Sequence, residues 1–118
     1  MRIEEDVLGT IEVADGCYWK SQTQRSLENF PIGKEKMPEP LIRAFALLKL
    51  SCARANLRSG IITSFQEAAI AHVCRRILDG ELRDQFPLSV WQTGSGTQTN
   101  MNLNEVITTL GNQFAGTD

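Results

Sequence analysis

The sequence has few of the residues from which metal and redox centres are built. Its 118 residues include three cysteines and a single histidine, and no two cysteines form a CxxC pair. A zinc site needs several cysteine or histidine ligands at short spacing, so we expect no metal and no cofactor. Scattered thiols in odd number also argue against a disulfide framework. We therefore expect Cys17, Cys52 and Cys74 to be reduced and buried.

A strong net charge and long apolar runs are also lacking. The 12 Lys and Arg residues nearly balance the 14 Asp and Glu residues, for a formal net charge of -2. This balance excludes the basic surface that binding to nucleic acid or an anionic membrane requires. No run of about 18 apolar residues exists, so we expect no segment to span a bilayer. The first residues, MRIEEDVLG, are acidic where a secretory signal is basic and then apolar, which predicts a cytoplasmic protein.

What the sequence does contain is typical of a folded, mainly helical domain. Apolar residues make up 42% and charged residues 22% of the chain, which excludes a disordered protein. Two short β-capable runs flank Leu8-Gly9 and predict a small hairpin over residues 2–13. Helical patterns follow over residues 21–30, 39–59, 64–79 and 97–114. The predicted fold class is therefore mainly α, with a small β-hairpin at the start.

The helix predicted over residues 39–59 is apolar on most of its sides. Pro38 and Pro40 mark its start, because proline is tolerated in the first turn of a helix, and Gly60 supplies its C-cap. A helix this apolar needs neighbours on more than one face. In so short a chain the pattern indicates a missing partner, either another domain or another subunit. We expect the isolated domain to have an exposed apolar patch and to self-associate.

The most informative segment is VWQTGSGTQTNMNLNEVI, residues 90–107, in which a glycine turn leads into the last helix. The first turn of a helix has backbone N–H groups without intrahelical acceptors and lies at the positive end of the helix dipole, so it favours an anion. The turn is not a dinucleotide fingerprint, since position 99 is threonine, and it lacks the lysine of a P-loop. An ordinary loop with a helix cap stays open. Neutral donors around Gly96, namely Ser95, Thr97 and Asn100, suit the shape of a carboxylate.

Polar residues crowd this helix start, and several of them compete with the backbone for hydrogen bonds. We interpret these polar residues as ligand-recognition residues that reduce the stability of the fold. The residues concerned are Gln92, Thr93, Ser95, Thr97, Gln98, Thr99, Asn100, Asn102 and Asn104. Three ionisable side chains are expected to be structural or solvated instead. Glu105 lies off the amide stripe, Arg25 is expected in an ion pair, and His72 projects onto the polar side of its helix.

The run WQTGSGTQTNMNLNEVI resembles the N-terminal region of the class II fumarate hydratases, in the fumarase/aspartase superfamily. The resemblance extends over essentially all 118 residues, in the family's order and spacing. Relatives of the aspartase type carry GAGT where this chain has GSGT, so Ser95 favours a fumarase. Lys20 and Thr109-Leu110 depart from the family pattern outside this segment. The supporting matches are Tyr18-Trp19, Gln22-Thr23-Gln24-Arg25, Asn29-Phe30-Pro31-Ile32 and Asp84-Gln85-Phe86-Pro87.

The resemblance implies a substrate and a site. Fumarate hydratases add water reversibly to fumarate to give (S)-malate, and the resemblance implies that Ser95, Gly96 and Thr97 bind a substrate carboxylate, with Asn100 nearby. It also implies that the catalytic residues are absent here. A later Thr-His pair and a GSSxMPxKxNP loop carry the proton transfers in the family, and neither motif occurs in this chain. The family's sites are shared among subunits of a homotetramer.

Residues 1–118 are accordingly interpreted as the N-terminal domain of a fumarase-like lyase, without its central helical bundle and C-terminal domain, and inactive alone. Two alternatives stay open. One is an aspartate ammonia-lyase, in which the same region reads a similar dicarboxylate, and activity on malate against aspartate separates the two. The other is a helical interaction module that has lost its catalytic half. Coding sequence that continues beyond Asp118 into GSSxMPxKxNP favours the enzyme.

Overall fold

The computed structural model describes residues 1–92 and 95–116. Within these ranges the chain forms a hairpin of two strands, four α-helices and one turn of 3₁₀ helix over Arg83–Gln85. This confirms the predicted mainly α fold with a hairpin at its start. None of the described helices is both long and apolar enough to cross a membrane. The elements are β1 (Arg2–Asp6), β2 (Gly9–Val13), α1 (Ser21–Asn29), α2 (Glu39–Arg58), α3 (Ser64–Leu78) and α4 (Thr97–Ala115).

Two arginines connect the hairpin to the segment that follows it and to α1. β1 and β2 pair antiparallel, from Arg2 opposite Val13 to Asp6 opposite Gly9. The Arg2 guanidinium donates to the carbonyl oxygens of Ala14 and Cys17 at 2.9 and 2.7 Å. The guanidinium of Arg25, on α1, donates to both carboxylate oxygens of Asp6 at 2.9 and 2.8 Å. Both arginines therefore hold the hairpin against the chain that follows it.

Helices α2 and α3 begin and end where the sequence signals lie. Pro40 stands in the first turn of α2, and Gly60 follows its end with a φ of 75°. Thr63 caps α3 in a reciprocal box, because its hydroxyl accepts from the Gln66 N–H at 3.1 Å while the Gln66 side chain accepts from the Thr63 N–H at 2.9 Å. Gly80 follows α3 with a φ of 81°. Local capping and glycine signals thus determine where both helices begin and end.

The core lies where the helices meet. α2 packs against α3, α3 packs against α4, and α1 packs against both α4 and the hairpin. Most of the apolar face of α4 is enclosed, and Leu103 and Val106 have no exposed surface, whereas Phe114 near its end is 49% exposed. These two residues pack in one cluster with Val13, Trp19, Ile42, Ala46, Leu50, Val73, Cys74, Ile77 and Leu110. α4 is therefore the central element of the core.

Polar contacts hold α4 and the loop before it against earlier parts of the chain. The buried amide of Asn102 donates to the Gln85 carbonyl oxygen at 3.0 Å, and the Gln85 side chain in turn accepts from the Tyr18 N–H at 2.7 Å. Ahead of the helix, the Val90 N–H donates to the Glu35 carbonyl oxygen at 2.9 Å. The loop before α4 is thus paired with the loop between α1 and α2.

Candidate functional site

A left-handed glycine begins α4. Gly96 occupies the N-cap position with a φ of 73°, a conformation that a side chain disfavours. A Cβ added there would meet no heavy atom within 4 Å, so the space beside this residue is open. No acidic residue lies in the first turn of α4, and no side chain caps it at Gly96. No carboxylate of its own first turn therefore offsets the positive end of this helix dipole.

Two hydroxyl groups lie together at this helix start. The Ser95 and Thr97 hydroxyl oxygens are 3.0 Å apart, and the Thr97 N–H points to the Ser95 hydroxyl at 3.4 Å. Both residues are exposed. A hydroxyl can donate one hydrogen bond and accept others, so this pair can turn towards an anion without losing a buried partner. Three of the four predicted binding residues, with Gly96, are therefore contiguous and accessible.

Asn100, the fourth predicted binding residue, contacts a lysine from another helix. The Lys49 ammonium, on α2, donates to the Asn100 side-chain oxygen at 2.6 Å. Both side chains are half-buried. The sequence reasoning missed Lys49, which lies 51 positions earlier in the chain and carries no local motif. Its one signal is a lone lysine in the apolar run ALLKLSC.

Several of the crowded polar residues serve the fold, so their interpretation as recognition residues is wrong. The buried Gln92 amide bonds Thr99 twice, accepting from its N–H at 3.0 Å and donating to its hydroxyl at 2.8 Å. Asn102 is 1% exposed and anchors α4 as described above. The Gln98 side chain accepts from the Ser26 hydroxyl. Gln92 and Asn102, which are buried and paired within the domain, are therefore not available to contact a ligand. Thr93 lies outside the described residues.

Glu105 caps a different helix. Its carboxylate accepts from the Gln22 N–H at 2.9 Å, and from the Thr23 N–H and hydroxyl at 2.9 and 2.5 Å. These are the free N–H groups at the start of α1, which has no acidic residue in its own first turn. The expected structural role of Glu105 is confirmed, and its partners lie more than 80 positions away.

The two other ionisable residues also match their expectations. Arg25 forms the ion pair with Asp6, and the hydrogen bonds from this guanidinium lower the pKa of Asp6 from 3.8 to about 2. His72 is exposed and stacks on Phe114, with ring centroids 4.3 Å apart. Arg25 also lines a pocket together with Thr97 and Gln98 at the start of α4. Within residues 1–92 and 95–116 no cluster of three or more His, Cys, Asp or Glu side chains could hold a metal ion.

An open apolar groove of about 700 Å³ runs between α2, α3 and α4. Leu48 and Phe65 line it and remain 57% and 59% exposed, which agrees with the predicted apolar patch on α2. Lys49 and Asn104 line it as well, and its lining along α4 lies between Asn104 and Ala115. Its apolar walls resemble a packing surface more than a site for a small polar ligand.

The thiols differ in their surroundings. Cys74 is buried, and burial raises its pKa to about 11. Cys17 is half-buried, and burial raises its pKa above the usual 9.0. The predicted burial of Cys52 is wrong, because this residue is exposed at the groove, where no part of the described chain covers α2.

Comparison with known proteins gives a consistent result. The model of the Lyase family matches residues 9–117. A class II fumarate hydratase from Helicobacter pylori is 56% identical over 115 residues, which are 98% of this chain and 25% of that protein. One from Rickettsia felis is 54% identical over 112 residues, 95% of this chain and 24% of that protein. The chain thus spans about a quarter of the length of these relatives.

The solved structures agree with the sequence comparison. The crystal structure of a class II fumarase from Schistosoma mansoni superposes with a TM-score of 0.95 and 40% sequence identity. The superposed region covers 98% of the present chain and 24% of the Schistosoma mansoni chain. The similarity therefore includes the segment from Ser95 to Asn100 and the helices that hold it.

Proposed function

Because the chain belongs to the Lyase family, we propose that it is the N-terminal quarter of a class II fumarate hydratase. Such an enzyme hydrates fumarate reversibly to (S)-malate, a step of the tricarboxylic acid cycle, in the cytoplasm. The observation that carries the proposal is the 56% identity to a class II fumarate hydratase over 98% of the chain. Residues 1–118 are then one domain of a longer polypeptide.

In this proposal Ser95, Gly96, Thr97 and Asn100 bind one substrate carboxylate. The open start of α4, its two hydroxyls 3.0 Å apart and the absence of an acidic residue in its first turn support this role. When a proton leaves malate, the carboxylate next to the carbanion gains negative charge as an aci-carboxylate. Donors fixed at a helix N-terminus stabilise that added charge more than the charge of the substrate, and this difference lowers the barrier.

The proton-transfer groups are proposed to come from the rest of the enzyme. This chain carries neither of the two family motifs that supply them, so the 118 residues alone are expected to be inactive. The apolar groove beside α2 supports packing against the remaining three quarters of the polypeptide or against other subunits of a homotetramer.

A chimera tests the proposal. In it, the aligned 115 residues of this chain replace the corresponding quarter of the Helicobacter pylori relative. We expect this chimera to hydrate fumarate and to leave aspartate unchanged. Deamination of aspartate without hydration of fumarate would contradict the proposal in favour of an ammonia-lyase. A folded tetrameric chimera without either activity would favour the interaction module.

The same chimera tests the role of Thr97. We expect Thr97→Ala to lower kcat/KM for fumarate by about 10²–10³-fold, as the loss of one fixed donor to a developing oxyanion does. Thr10→Ala, at an exposed position of the hairpin, serves as the matched control and should leave kcat/KM unchanged. Equal activities of the two variants would remove Thr97 from the proposed site.

A further inference from the structure

Gln92 joins the two ends of the segment that contains Ser95, Gly96 and Thr97. Its side-chain oxygen accepts from the Thr99 N–H at 3.0 Å, and its side-chain nitrogen donates to the Thr99 hydroxyl at 2.8 Å. Gln92 is 8% exposed and Thr99 is 2% exposed. Because both hydrogen bonds are buried and join the same two side chains, they fix the start of α4 relative to the loop before it.

The direction of the Gln92 amide is fixed as well. Its nitrogen also donates to the Ser89 carbonyl oxygen at 3.0 Å, so this NH₂ group has two acceptors. A flipped amide would place the nitrogen against the Thr99 N–H, donor against donor, and would lose the bonds to both residues. Gln92 therefore acts on the start of α4 through Thr99.

The start of α1 contains a similar arrangement with a charged residue in place of Gln92. Thr23 is the third residue of α1, as Thr99 is of α4, and its N–H and hydroxyl both donate to the Glu105 carboxylate. A carboxylate at this position offsets the positive end of the helix dipole, whereas a neutral amide does not. Gln92 thus satisfies the Thr99 N–H without adding a negative charge where a substrate carboxylate is proposed to bind.

We infer that Gln92 is a positioning residue, whose uncharged amide fixes the hydrogen-bond donors of Ser95 and Thr97 and keeps the start of α4 able to bind an anion. This inference rests on the proposed function and concerns the same site. Donors that stabilise a developing negative charge are effective when they are already in place before the reaction, and a small displacement of a positioned group lowers the rate.

Steady-state kinetics of the chimeric enzyme with Gln92→Glu test the role of the uncharged amide. This variant keeps an acceptor for the Thr99 N–H and introduces a negative charge. We expect KM for fumarate to rise about tenfold, because like charges placed close together weaken binding. Partial unfolding does not produce this result, since only folded molecules turn over and their loss lowers the apparent kcat with KM unchanged. Gln113→Glu makes the same change at an exposed position near the other end of α4 and should leave KM unchanged.

Replacement of Thr99 tests the positioning itself. Thr99→Val removes the hydroxyl that Gln92 bonds and keeps the size of the side chain, so it should lower kcat about tenfold. Thr99→Ser retains the hydroxyl and should restore most of kcat. This pair decides the question if the Gln92→Glu chimera does not assemble.

The outcomes separate this inference from the function on which it rests. An unchanged KM in Gln92→Glu, or equal kcat values in Thr99→Val and Thr99→Ser, overturns the inference and leaves the proposed function standing. A chimera with the wild-type residues that does not hydrate fumarate overturns both.

Discussion

The starts of α1 and α4 are chemically alike and differ in what fills them. In each, the first backbone N–H groups lack intrahelical acceptors, a threonine lies in the first turn, and no acidic residue lies there. At α4 the Gln92 side chain accepts from one of these groups, the Thr99 N–H. At α1 the Glu105 carboxylate accepts from two N–H groups and from the Thr23 hydroxyl, all within 2.9 Å. At α4 the Thr97 and Ser95 hydroxyls contact one another instead, and both are exposed.

The comparison shows which hydrogen-bond donors this fold uses to bind a carboxylate. The Glu105 site is an internal example of N–H groups and a threonine hydroxyl surrounding one carboxylate group. The start of α4 offers the same kinds of donor to a carboxylate that the described chain does not provide. The Glu105 carboxylate is thus part of the fold at the start of α1, and the start of α4 is the proposed ligand site.

Removal of Glu105 should have the largest effect on stability. Glu105→Ala leaves two backbone N–H groups and a buried threonine hydroxyl without their acceptor, and hydrogen bonds to charged groups contribute about 1.5–3 kcal/mol each. We expect the free energy of unfolding to fall by about 3 kcal/mol in urea titrations. Glu28→Ala, at an exposed position of α1, is the control and should cost less than about 0.5 kcal/mol. Equal costs would show that the two helix starts do not differ in this way.

A carboxylate introduced at the start of α4 should give this helix the same kind of acidic partner that α1 has in Glu105. Ser95→Asp places a negative charge at the positive end of α4, which should raise the free energy of unfolding by about 0.5 kcal/mol. It should also abolish fumarate binding by the chimeric enzyme, because the introduced carboxylate repels the ligand. Ser95→Asn, which is similar in size and uncharged, should not stabilise the protein. Fumarate binding that persists in Ser95→Asp would indicate that the ligand lies elsewhere.

The Asp6–Arg25 pair should make the attachment of α1 sensitive to acid. The pKa of Asp6 is about 2 in the folded protein and 3.8 ordinarily, so its ionised form stabilises the folded state. That contribution is complete above pH 3.8 and lost as the pH falls through about 2. We expect the stability difference between wild type and Asp6→Asn to be constant near neutral pH and to vanish towards pH 2. A difference that does not depend on pH would contradict this.

Thiol labelling does not alter the protein's stability or activity before it is modified, so it comes last. It reports which parts of the protein next to α4 are accessible to solvent. Cys52 at the groove should react with a thiol reagent in the native protein. Cys74, buried in the core with its pKa raised to about 11, should react only after unfolding. The absorbance of the released thiol reagent follows the reaction, and the variants Cys52→Ser and Cys74→Ser show which labelling phase belongs to which thiol. Fast labelling of Cys74 would mean that the core beneath α4 is not closed.

The sequence predicted those features that depend on neighbouring residues. The capping box at Thr63, the glycines after α2 and α3, and the start of α4 at Thr97 are local patterns, and the structure confirms them. The contact from Lys49 to Asn100 and the cap of α1 by Glu105 join residues 51 and 82–83 positions apart. Helical periodicity carries no information about such pairs, because they depend on how the helices pack.

The amides near α4 show why composition alone was misleading. Gln92 and Asn102 have the same chemistry as Asn100, yet both are buried and bonded within the domain. Whether an amide serves a ligand or the fold is decided by its burial. The exposure of Cys52 escaped prediction for a related reason, since α2 is apolar on a side that no described element covers.

A crystal structure of the chimeric enzyme with bound fumarate tests the central claim most directly. We predict one carboxylate of the ligand within about 2.7–3.1 Å of the hydroxyl groups of Ser95 and Thr97, as hydrogen bonds at a preorganised anion site require. Fumarate bound away from the start of α4, with these hydroxyls still paired to each other, would contradict the account.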